Sequence, residues 1–245
     1  MNYWSAIDIV KQIAGELGLV QPDSLFGSDD VQVGQLLAYL NSAGNELSLY
    51  YPWEQFVQVW TLPTVSGIDN YDLPADWSYF VDQTQWDQTN HWPLLGPKSA
   101  QEWAWLKGGV LQAAPRMRYR VYKDKFWVHP VPGSTVFTFR MEYIRRTWCT
   151  NVKQGNVDGA LVLSDGDVVQ YEPWLLVKYI KLKFYELKGF DSTGVRSDFM
   201  RIFQSLTGKD RGAPVLSLAS RAAPIFIGPW SIPDGSWDTT GGASP

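Results

Sequence analysis

DGDVVQYEPWLLVKYIKLKFYELKG, residues 165–189, is the stretch on which the fold turns. Pro173 after Glu172 suits the first turn of a helix, where its missing N–H costs nothing. Leu176, Val177, Ile180, Phe184 and Leu187 then fall on one face at helical spacing, and Gly189 supplies the stop. Lys178, Lys181, Lys183 and Lys188 lie on or beside the opposite face, which reads as a solvated surface with favourable charge near the helix end. Asp165 and Asp167 read as a turn that caps this helix. A second helix over 193–206, with Val195, Phe199, Ile202, Phe203 and Leu206 as its stripe and Gly208 as its end, packs naturally against the first.

Helical periodicity also opens the chain. Ile9, Val10, Ile13 and Leu17 line one face of residues 5–19, with Ser5 as a cap and Gly18 and Pro22 as stops. Ser28 or Asp29 can cap a second helix whose stripe runs through Val33, Leu36, Leu37, Leu40, Ala43 and Leu47. At Tyr51 and Pro52 the pattern changes. Residues 56–62 are β-formers closed by Pro63, 68–77 reads as a turn-rich connection, and 79–86 as extended chain. A short helix from Ser99 to Leu106 closes at Gly108 and Gly109, and residues 116–122, 126–129 and 136–145 read as strands joined by turns. The predicted fold is α+β: a helical bundle from segments 1–50 and 164–212, an inserted antiparallel β-rich domain at 51–163, and an extended C-terminal arm at 213–245.

At 245 residues, 45% hydrophobic and 19% charged, the chain is long enough to bury a sizeable core. No apolar run approaches the roughly 18 residues of a membrane helix, and the start lacks the pattern of a signal peptide, so no membrane partner is expected. A lone Cys149 excludes an intramolecular disulfide and a cysteine-built zinc site. A formal charge of −4 argues against sequence-specific DNA reading. Arg116, Arg118 and Arg120 alternate along one side of a strand, as a solvated sheet face or a subunit contact.

No catalytic set, cofactor motif or metal site emerges. His129 closes an aromatic strand as a packed ring, and His91 belongs to a turn. Asp165 and Asp167 lack the rest of a calcium loop. Asp69, Asp72 and Asp76 surround a proline-flanked turn, where acids serve hydrogen bonding. The glycines form neither GxGxxG nor a phosphate-binding loop.

Aromatic surface is the conspicuous resource, with 13 Trp. Trp86, Trp92, Trp103 and Trp105 share one stretch with Gln83, Gln85, Asp87 and Asn90. That mixture suits a glycan- or host-surface-binding module, or indoles that fill a small core beneath long loops. The segment 213–245 is rich in Pro, Gly, Ser and Ala yet carries Phe226, Ile227, Trp230, Ile232 and Trp237. Too weakly patterned to bury a core of its own, it reads as an arm anchored by aromatics on a partner, or as a tail packed on its own domain.

Five stretches carry a family resemblance: IVKQIAGELG (9–18), QLLAYLNSAGNEL (35–47), YYPWEQFVQVWTL (50–62), NYDLPADW (70–77) and EPWLLVKYIKLKFYE (172–186). In kind and order they resemble the head-to-tail adaptors of short-tailed bacteriophages, also called tail tubular protein A or gatekeeper-type proteins. The resemblance implies a structural protein of the virion, assembled in the host cytoplasm and placed at the head–tail junction. It implies a homo-oligomeric ring, expected to be a dodecamer, bound to the portal protein through its C-terminal part. The β-domain would meet a tail nozzle, tube or fibre, with Trp86, Trp92, Trp103 and Trp105 as distal contacts, and genomic DNA would pass non-specifically through the channel.

Overall fold

Why helices return at Pro173 is visible in what they bury. The computed structural model describes residues 3–108 and 116–210, as a mixed α+β chain. Its elements are α1 (Ala6–Leu17), α2 (Val31–Tyr50), β1 (Val57–Pro63), β2 (Asn70–Asp72), β3 (Trp77–Phe80), β4 (Trp86–Asp87), β5 (Trp92–Pro93), α3 (Ala100–Gly108), β6 (Arg118–Tyr122), β7 (Lys125–His129), β8 (Thr138–Arg145), β9 (Cys149–Asn151), β10 (Val157–Gly159), β11 (Val168–Val169), α4 (Pro173–Lys188) and α5 (Thr193–Asp210). They group into two compact units. Among the described residues, one contains 3–57 and 144–210, and the other contains 58–143.

In the first unit α4 packs against α1, α2 and α5. Leu175, Leu176, Val177 and Ile180 are fully buried there, with Ile9, Ile13, Leu36 and Leu40 from the N-terminal helices. Each such side chain contributes about 1.5–3 kcal/mol relative to exposure. Ser5 caps α1 through the amide of Asp8, and Asp30 caps α2 through that of Gln32. Left-handed backbone at Gly18 and Gly189, φ 70° and 73°, ends α1 and α4, a conformation only glycine adopts without strain. Tyr179 of α4 stacks on Phe199 of α5 with ring centres 4.7 Å apart.

Of the lysines of α4, Lys188 is exposed, but the other three are not a solvated face. Lys178 and Lys181 both reach Glu16 of α1, at 2.9 and 3.0 Å, and Lys183 reaches Glu46 of α2 at 2.6 Å. Tyr179 adds a 2.5 Å hydrogen bond to Glu46. Burial pushes both carboxyls up, but the hydrogen bonds from their lysines, and at Glu46 from Tyr179, outweigh it and hold both below the ordinary value of 4.5. The pairs also fix the rotation of α4, because each lysine finds its acid in only one setting of the helix.

A three-stranded sheet, in the order β10-β9-β11 and antiparallel throughout, belongs to this unit. It delivers Trp148, fully buried, against α2. The indole N–H donates to the Ala160 carbonyl at 2.9 Å, and a Cβ placed on Gly44 would lie 2.3–2.5 Å from its ring carbons. Gly44 is therefore the residue that admits Trp148. The Gly44 carbonyl also accepts the Tyr171 hydroxyl at 3.0 Å.

The second unit holds a five-stranded sheet, β1-β8-β4-β5 with β3 also on β8, and a three-stranded one, β2-β7-β6. Their inner faces share one core of Leu62, Leu94, Met117, Tyr119, Phe126, Val128, Phe139 and Met141. Part of the stretch read as a turn-rich connection is strand β2, since Asn70, Tyr71 and Asp72 pair with Trp127, Phe126 and Lys125. The Tyr71 hydroxyl, accepting from the Val65 amide at 2.9 Å, holds the preceding loop to this strand.

Two outcomes follow. Gly44→Ala should destabilise the protein by about 1–3 kcal/mol through overpacking on Trp148, whereas Gly34→Ala in the same helix, with no atom within 4 Å of its Cβ, should stabilise it by up to about 1 kcal/mol; denaturant melts distinguish them. Because the folded carboxyls of Glu16 and Glu46 titrate below their unfolded value, the pairs contribute fully above pH 4.5 and lose that contribution as pH falls through the folded value. The stability gap between wild type and Lys183→Met should therefore close on acidification.

Candidate functional site

Four indoles were expected to act together in residues 86–105, and the backbone separates them. Ser99 and Glu102 form a reciprocal cap at the start of α3, the Ser99 amide donating to the carboxylate at 3.0 Å and the Glu102 amide to the hydroxyl at 3.2 Å. The helix turns Trp103 inward, 9% exposed, edge-on to His129 at 6.2 Å and beneath the Lys107 ammonium at 5.8 Å. Trp105, two positions on, is 75% exposed. Trp86 and Trp92 sit on the paired strands β4 and β5, but the register sets Trp86 opposite Pro93 and Trp92 opposite Asp87. They therefore project from opposite faces of that pair, 45% and 37% exposed. Trp86, Trp92 and Trp105 are open to solvent; Trp103 is core.

The arginine row departs from its reading as a solvated face. Arg116 and Arg118 are buried, and half-buried Arg120 lies over the Tyr122 ring at 4.8 Å. Burial, then the charges of Lys107 and Arg118, push the His129 imidazole below its ordinary value against an opposing pull from Asp69. A neutral, packed ring results. His91 is exposed in the turn between β4 and β5, with a left-handed backbone at φ 57°.

The acidic residues are committed to structure. Asp69 pairs with Lys107 at 2.7 Å, Asp72 with Lys125 at 3.1 Å, and Asp76 accepts the Tyr143 hydroxyl at 2.9 Å, three separate destinations. Asp167 accepts the amides of Val152, Leu163 and Ser164 and the Ser164 hydroxyl, at 2.5–3.0 Å. Burial pushes its carboxyl up, and these donors more than reverse that. Asp165 accepts the Ser24 hydroxyl at 2.7 Å and the Leu25 amide at 2.8 Å. Neither acid caps α4, as the sequence suggested; Glu172 precedes that helix, and the two carboxylates organise the loops around them. Among the described residues no group of three His, Cys, Asp or Glu is placed to hold a metal ion, and no helix is long and apolar enough to cross a membrane. Burial, with the charges of Asp167 and Asp158, pushes the Cys149 thiol up to about 12, far from a reactive thiolate.

What the structure offers instead is surface. In the first unit Val31, Leu49, Tyr50, Leu187 and Phe190 are exposed, and in the second Val59, Trp86 and Trp105 are. The arm residues Phe226, Ile227, Trp230, Ile232 and Trp237 lie outside the described residues. The family model described as SU10 adaptor protein matches residues 2–215. The chain belongs to that family. Its resemblance to phage head-to-tail adaptors, read from five stretches of sequence, is borne out by the match, and a role as a structural phage adaptor in the virion follows from it. No curated protein matches the chain significantly.

The inward and outward indoles of α3 should behave differently on truncation. Trp103→Ala is expected to cost about 3–5 kcal/mol of stability as a large-to-small core change, and Trp105→Ala to stay within about 0.5 kcal/mol, as read from urea melts.

Proposed function

We propose that this adaptor forms a ring, a dodecamer, that joins the portal to the distal tail and surrounds the DNA channel. The match to the adaptor family across residues 2–215 carries the reading. Exposed apolar side chains on both units support it, since large exposed apolar residues are the material from which protein interfaces are made. The helices of the first unit supply the body of the ring, and residues 58–143 face the nozzle, tube or fibre. The arm at 213–245 grips the portal through Phe226, Ile227, Trp230, Ile232 and Trp237. Nothing in this role requires catalysis or a cofactor. Cyclic symmetry multiplies a modest contact, because each arm is one of many tethered copies and release requires all of them to let go. An acidic excess of −4 per subunit, repeated around the ring, disfavours lasting contact with DNA phosphates and lets the genome slide.

The purified chain should sediment as a monomer or weak oligomer and form rings when portal is added. Deleting residues 213–245 should leave cooperative melting intact and abolish co-sedimentation with the portal. Trp230→Ala should weaken that association more than Trp105→Ala; the reverse order would remove the arm from its assigned role.

A further inference from the structure

We propose that Trp86 and Arg140 form a binding site for a single pyranose that carries a carboxylate, a uronic-acid type of sugar. The proposal goes beyond the adaptor role and rests on the outer face of the β4–β8 pair. Trp86 stands opposite Arg140, and Asp87 opposite Phe139. Phe139 is fully buried, so the alternation of the strands puts Trp86 and Arg140 together on the solvent side. The register continues on both flanks, with the Gln88 amide donating to the Thr138 carbonyl at 2.8 Å and the Glu142 amide donating to the Thr84 hydroxyl at 3.1 Å.

A cleft of about 260 Å³ opens here, lined by Thr84, Trp86, Asp87, Gln88, His91 and Arg140. Two of its polar groups are spent. The Asp87 carboxylate is buried and accepts the amides of Thr89 and Asn90 and the Asn90 side chain, at 2.8–3.4 Å. The Thr84 hydroxyl donates to the Val81 carbonyl at 2.7 Å. Among the described residues the Trp86 indole has neither a ring partner nor a hydrogen bond, and the Arg140 guanidinium has neither an ion pair nor a hydrogen bond. Gln88 and the left-handed turn at His91 add an amide and an imidazole to the lining.

Those free groups define a ligand. An exposed indole face stacks on the C–H face of a pyranose ring, and the amide and imidazole meet its hydroxyls. A free planar guanidinium matches a carboxylate through two parallel hydrogen bonds. Glu142 lies on the same face two residues along β8 and does not line the cleft, and Asp87 is opposite buried Phe139, on the other face of the strands, so Arg140 supplies the charge on the solvent side. The volume falls below the roughly 300 Å³ at which pockets begin to take drug-sized ligands, which suits one ring. A folded partner would need about 800 Å² of complementary surface, and this face of β8 presents the polar side chains Thr138, Arg140 and Glu142 beside the one indole of Trp86.

The test is a titration of the full chain with methyl glucuronide and with methyl glucoside, following the Trp86 indole N–H by NMR. Both sugars should shift that signal at millimolar concentration, with the glucuronide about tenfold tighter through the charge-assisted pair. Arg140→Met should erase the preference and leave the weaker binding. Trp86→Ala should abolish binding of both, measured by calorimetry, while Trp105→Ala changes neither. Silence of the Trp86 signal with both sugars, or undiminished binding in Trp86→Ala, would overturn the site. Loss of distal tail from Trp86→Ala particles, without sugar binding by the wild type, would make this face a protein contact and equally overturn the site. Ring formation with the portal is read separately, so failure here leaves the adaptor role standing.

Discussion

Burial of α4 is the constraint on which the first unit depends. Its apolar face is covered by α1 and α2, whose residues precede it by more than a hundred positions, and by α5 directly after it. Closing so long a loop is less costly than it looks, since the entropy grows only with the logarithm of length, about 0.6 kcal/mol per doubling. Four fully buried aliphatic residues on α4, at about 1.5–3 kcal/mol each, outweigh it. The consequence is a permissive architecture. An entire β-rich unit can be carried between α2 and α4 without endangering the helices, provided that their faces still meet. The ion pairs to Glu16 and Glu46 then choose one rotation of α4 among those that apolar contact alone would allow.

That same burial explains what was legible. A helix covered on one side must repeat its apolar residues every three or four positions, so α1, α2, α4 and α5 stand out in the sequence, as do β6, β7 and β8 with their alternation and two-residue turn at Lys123 and Asp124. Long-range polar pairing leaves no such trace. Lys178, Lys181 and Lys183 have the spacing of a solvated face, and only the arrival of Glu16 and Glu46 from other helices makes them structural. Strand β2 leaves no periodic signal because three residues are too few for a period, and its partner β7 lies more than fifty residues away. The small sheet around Cys149 is equally short. Its signal was the isolated Trp148, whose need for a glycine on a neighbouring helix is met at Gly44, mid-helix, where glycine is otherwise a poor choice.

For the proposed site, composition points to tryptophan but not to its grouping. Tryptophans close in sequence tempt a reader to pool them. Trp103 and Trp105 are separated by two positions on a helix, about 200° of rotation, so one is core while the other is solvent-exposed. Trp86 and Trp92 are separated by the parity of a strand register. The arginine that joins Trp86 comes from β8, over fifty residues on, and could have been paired with it only by knowing that β4 lies beside β8. Buried Arg116 and Arg118 show the converse, a charged row that alternation assigned to one side without revealing that the side is covered.

Charge distribution separates the two units in a way the total conceals. Residues 58–143 hold eight acidic and eight basic side chains, so the whole formal excess of −4 resides in the remaining segments. Some of those acids are paired internally, as Glu16 and Glu46 are by lysines. An ion pair contributes little field beyond its own length, whereas an unpaired carboxylate is felt over a Debye length of about 8 Å in physiological salt. If DNA passes through the proposed ring, its repulsion would fall to exposed acids without a basic partner among the described residues, such as Asp23 and Asp29 ahead of α2, and not to the paired ones. A neutral second unit suits the other requirement of an adaptor, contact with proteins, because a surface without net charge can approach a partner of either sign.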